Sequence, residues 1–75
     1  MEITLDRLHL NQQAVVTAIH TAPALLLRLR QFGMVPGTPV RCRYRSPGGG
    51  VTAVECRGSV LAIRTRDLKR IWGRY

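Results

Sequence analysis

The segment from Gln31 to Val40 constrains this chain more than any other. A leucine-rich helical pattern runs into Gly33, a second turn signal follows at Pro36-Gly37, and an alternating strand pattern begins at Val40. A helix that reverses so abruptly into a strand, so early in a chain of 75 residues, predicts a small β-barrel carrying one helix as an insert. Residues 1–75 are read as one domain, with no room for a second. A chain of this size buries only about 60–65% of its unfolded surface. So thin a core leaves little space for a catalytic cleft, and a binding role is expected ahead of an enzymatic one.

The helix is expected from Ala24 to Phe32, with Pro23 in its first turn and Thr21 or Ala22 as cap. Leu25, Leu29 and Phe32 follow the spacing of one buried stripe. Gly33 suits the left-handed position after the helix, with Met34 folding back on the last turn. Ahead of the helix, the β-branched run from Ala14 to Ile19 predicts a strand. Behind it, Val40, Cys42 and Tyr44 alternate with Arg41, Arg43 and Arg45, a half-buried strand with an arginine face. Val51–Cys56 returns after the Pro47–Gly50 loop, Arg57-Gly58 is a two-residue hairpin turn, Ser59–Arg64 follows, and Ile71-Trp72 is a last short strand. Centring the first hairpin on Gly49 sets Cys42 opposite Cys56 and Tyr44 opposite Val54. Centring the second between Arg57 and Gly58 sets Val54 opposite Leu61 and Thr52 opposite Ile63. Both place Val40, Cys42, Tyr44, Val54, Cys56, Leu61 and Ile63 on one face. The sum is an all-β chain of about five strands, closed into a barrel, with the helix between the first and second strands.

The formal charge is +8, from 12 basic residues against 4 acidic, and 11 of the 12 are arginine. Such a balance favours acidic partners: nucleic acid, anionic lipid or an acidic protein surface. The few aromatic residues argue against a base-stacking platform for single-stranded RNA. Apolar runs such as Ala24–Leu27 fall far short of a membrane span, and a soluble, cytoplasmic protein is expected. Cys42 and Cys56 form no zinc pattern, and a cytoplasmic setting would keep them as thiols. His9 and His20 are isolated, so no metal site and no cofactor is expected. Gly48-Gly49-Gly50 lacks the lysine and the following helix of a phosphate loop. No nucleophile–base pair stands out, and the chain reads as non-enzymatic.

Two features remain. Arg41, Arg43 and Arg45 repel one another along one strand face, which an acidic partner would relieve. The helix carries Leu26 and Leu27 beyond its buried stripe, so a partner, a second copy or the barrel itself must cover them.

Leu29 through Val40 resembles the helix-to-strand corner of the ferrous iron transport protein A (FeoA) family. Val54–Gly58 with Val60–Arg64 resembles that family's hairpin, and Leu5, Leu8 and Ala14–Ile19 its opening segment. Asp67, Leu68 and Ile71 fall where its closing turn and strand lie. The likeness spans nearly the whole chain. It implies an SH3-like barrel and a small cytoplasmic accessory protein of ferrous iron uptake. The implied partner is FeoB, a membrane permease bearing a GTP-binding domain. The chain departs from the family in its Pro47–Gly50 loop, in Leu25-Leu26-Leu27 where polar residues are common, and in Asn11-Gln12-Gln13 where a glycine is usual. On this reading Leu26, Arg28, Leu29 and Arg30 of the helix anchor the permease, and Arg41, Arg43 and Arg45 steer toward it. Self-association through the helix is the further expectation. The alternative is a small basic barrel that binds nucleic acid, with affinity falling steeply as salt rises.

Overall fold

Two local devices fix the architecture of the computed structural model, which describes residues 1–75. Arg57 and Gly58 both take positive φ (52° and 81°), the mirror-image turn whose twist matches its flanking strands. At the other corner Gly33 (φ 85°) ends the helix in a Schellman arrangement. Met34 N–H donates to the Leu29 carbonyl and Gly33 N–H to the Arg30 carbonyl, each at 2.9 Å. Buried Thr38 then knots the corner, its hydroxyl donating to the Gly33 carbonyl at 3.0 Å. The same corner is tied to the sheet through Val16, which donates to the Thr38 carbonyl and accepts from Gly37.

The elements in chain order are β1 (Glu2–Thr4), a 3₁₀ turn (Leu5–Arg7), β2 (Gln13–Ile19), α1 (Pro23–Gln31), β3 (Pro39–Arg45), β4 (Val51–Cys56), β5 (Ser59–Arg64), α2 (Thr65–Leu68) and β6 (Ile71–Arg74). The strands form one antiparallel sheet in the order β1-β6-β2-β3-β4-β5. The core is a single cluster of 14 side chains, in which Leu5, Leu8, Leu29, Met34, Leu68 and Ile71 are the largest that are fully buried.

Three expectations are corrected. The sheet has six strands, because Glu2–Thr4 adds one, and α1 therefore lies between the second and third strands. β1 is too short to carry an alternation signal. It docks because its neighbour β6 carries Gly73, where a Cβ would stand 2.8 Å from Leu5 Cδ2 and 3.2 Å from Ala14 Cβ. The sheet is also not closed into a barrel: β1 and β5 are its two edges, and no ladder joins them.

The third correction is the β3–β4 register. The Pro47–Gly50 loop sets Arg45 opposite Thr52 and Tyr44 opposite Ala53, one step from expectation. A bulge between Cys42 and Tyr44 adds a second step, so that Cys42 faces Val54 and Val40 faces Cys56. Two single steps restore the inward facing of Val40 and Cys42 but leave Tyr44, between them, turned outward and 58% exposed. The β4–β5 ladder pairs Val54 with Leu61 and Thr52 with Ile63, without irregularity.

Candidate docking surface

The arginine row of β3 is largely engaged within the fold. Arg41 donates from Nη1 to the Asn11 carbonyl and from Nη2 to Gln13 Oε1 at 2.8 Å. Arg45, re-aimed by the bulge, donates from Nη2 to the Asp6 carbonyl at 2.7 Å. Arg43 Nε lies 3.5 Å from Glu55 Oε1, an exposed pair of small energetic weight. These cations clamp the chain entering β2 and the 3₁₀ turn onto β3, which offsets their mutual repulsion.

The α1 residues divide by face. Leu29 is fully buried, Leu25 and Leu26 are half-buried, and Leu27, Arg28 and Arg30 are exposed. Phe32, expected in the buried stripe, follows the last helical turn and is 42% exposed. Its carbonyl lies 3.9 Å from Cys56 Sγ, and Arg57 Nε donates to the adjacent Gly33 carbonyl at 3.3 Å, so α1 ends against the β4–β5 turn. Burial pushes the Cys56 thiol up, and the charge of Arg57 offsets part of that rise.

Between α1 and β5 lies a cavity of about 370 Å³. Ala24, Leu25, Leu29 and Phe32 form its helical wall, Arg28 stands on its rim, and Leu61, Ala62, Ile63 and Arg64 form the opposite wall. A strand seen face-on shows every second residue; four consecutive residues lining one space mean that β5 presents its edge. Past Arg64, a shallower basic depression continues along Gly49, Gly50, Thr65, Arg66 and Lys69. The glycine loop is held there by Thr65, whose hydroxyl donates to the Gly49 carbonyl at 2.5 Å. Sequence reasoning assigned Phe32 and Leu61 to the core and gave Ala62 and Arg64 no part in a site. A signal existed: Val60 and Ala62 make β5 apolar on its outward face as well as its inward one.

No three His, Cys, Asp or Glu residues gather where they could hold a metal ion. No helix is long and apolar enough to cross a membrane.

Comparison with known proteins places this arrangement. No curated protein matches the chain. Among solved structures, a FeoA protein from Chlorobium tepidum superposes with a TM-score of 0.88 at 29% identity, covering 92% of this chain and 66% of that one. FeoA of Stenotrophomonas maltophilia, solved in complex with zinc and described as an SH3 domain protein, superposes at 0.77 with 32% identity and 96% of each chain covered. A manganese-dependent transcriptional repressor shares the fold alone, at 0.85 and 16% identity over 41% of its length. The FeoA domain model matches residues 3–75, and the chain belongs to the FeoA family, which is associated with ferrous iron transport.

Proposed function

We propose that this chain is a cytoplasmic accessory protein of ferrous iron uptake that binds and modulates a FeoB-like permease, as a protein–protein module without chemistry of its own. The observation that carries the reading is the FeoA match over residues 3–75. A role as a ferrous iron transport activating factor is suggested for the Stenotrophomonas maltophilia relative. Leu26, Arg28 and Arg30 form the helical part of the contact, with Leu29 beneath them holding α1 to the core. Arg41, Arg43 and Arg45 supply long-range attraction, since their internal hydrogen bonds leave their charge in place.

Co-purification of the tagged chain with the permease from detergent-solubilised membranes tests this. Retention of the permease is expected, with loss on Arg28→Glu combined with Arg30→Glu in a protein whose circular dichroism is unchanged. Failure to retain the permease at low salt overturns the reading. The net charge of +8 keeps nucleic acid as the rival partner. Retention of RNA on a filter in place of the permease, with a steep salt dependence, would favour that rival.

A further inference from the structure

β5 is an edge that lacks most of the devices that normally protect one. It is six residues long and its ladder to β4 is regular throughout. It contains no proline and no inward-pointing charge. The residues flanking a two-residue hairpin turn form a hydrogen-bonded pair, and bonded pairs then alternate. Ser59, Leu61 and Ile63 therefore spend their backbone groups on β4. Val60 and Ala62 turn both N–H and C=O outward, and Arg64 turns its N–H outward; none makes a hydrogen bond to another turn or loop. The apolar cavity shared with α1 runs beside this unpaired row. By contrast β1, the other edge, spans three residues.

We propose that the β5 edge and the α1 groove together bind an extended segment of another protein, in which acidic residues alternate with apolar ones, by adding it to the sheet as a further strand. The segment's backbone pairs with Val60, Ala62 and Arg64. Side chains on one of its faces enter the groove against Leu25 and Phe32. Those on the other meet Arg64 and, beyond the groove, Arg66 and Lys69.

Charge selects this occupant. Arg28 and Arg64 line the groove, neither makes a salt bridge, and Asp67 is the single anion beside them. A second copy of this chain fits poorly. Its acidic residues are only Glu2, Asp6, Glu55 and Asp67, so no strand of its own carries more than one. Nucleic acid satisfies the cations but offers no alternating amide row to the edge.

The test uses the full chain and a fluorescent seven-residue peptide alternating glutamate with valine, read by anisotropy and by amide exchange. Binding is expected, with slowed exchange at Val60, Ala62 and Arg64. A lysine-for-glutamate peptide should bind at least about tenfold more weakly. So should a peptide N-methylated on its edge-facing amides, about one lost hydrogen bond's worth. Ala62→Pro removes one outward donor while sparing the β4 ladder and should weaken binding similarly. The N-methylated peptide keeps the test valid if that variant fails to fold. No binding at millimolar peptide overturns the proposal. So does equal binding of the lysine peptide, binding without protection of those amides, or protection that appears through self-association without peptide. The permease reading is judged separately by co-purification, which any peptide result leaves standing.

Discussion

The centre of this sheet and its β5 edge are held by different means. Around the central β2–β3 pair the chain is clamped by specific polar bonds: Arg41 to Asn11 and Gln13, Arg45 to Asp6, Thr38 to Gly33. At the β5 edge Arg28 and Arg64 make no salt bridge, the backbone row is open, and α1 is attached through a single fully buried side chain, Leu29. The same residue type, arginine, serves as an internal brace at the centre and as free surface charge at the edge. What separates the roles is the presence of carbonyl acceptors within reach, which a pattern of charges along a strand does not reveal.

The largest expected effect lies where α1 is thinly attached. Leu29→Ala should cost about 2–5 kcal/mol in urea unfolding, whereas Leu27→Ala, on the exposed face of the same helix, should change stability by less than about 0.5 kcal/mol. Equal effects would mean that α1 does not depend on this one anchor. Next, Gly73→Ala forces a methyl group toward Leu5 Cδ2 and Ala14 Cβ. A loss of about 1–3 kcal/mol is expected, with β1 amides exchanging fastest. Arg45→Ala should cost about 1 kcal/mol by stripping the Asp6 carbonyl of its donor, while Arg66→Ala on the open flank should be nearly silent. Matching losses would erase the distinction between braced and free arginines.

The smallest effect is in pH. Burial raises the Cys56 thiol in the folded state, so its contribution is present below the ordinary thiol range and fades as pH rises through the folded value. Alkaline unfolding should therefore be shallower in Cys56→Ala than in the parent, and a thiol reagent at pH 8 should label Cys56 more slowly in the folded protein than in urea.

Legibility in the sequence followed the strength of local signals. Arg57-Gly58 admits one hairpin register, and the β4–β5 pairing was readable residue by residue. The glycine loop between β3 and β4 fixes nothing locally, and the bulge beside Arg43 has no signature of its own. The facing of Cys42 was therefore readable while its partner, and the outward turn of Tyr44, were not. The Schellman end of α1 was visible in Gly33-Met34, but the exposure of Phe32 depends on how far β5 stands from the helix, which no spacing encodes. The α1–β5 groove joins two segments far apart in the chain and exists only once the sheet stops at β5.

The unpaired residue beside Cys42 has a mechanical consequence. It acts as slack between the hairpin tip and the interior, taking up a one-residue change in span before that change reaches Cys42 or Val40. Shortening or lengthening the Pro47–Gly50 tip by one residue should thus be absorbed by straightening or enlarging that kink. The apolar interior would keep its pattern while the far end of the ribbon, Tyr44 and Arg45 included, rotates independently.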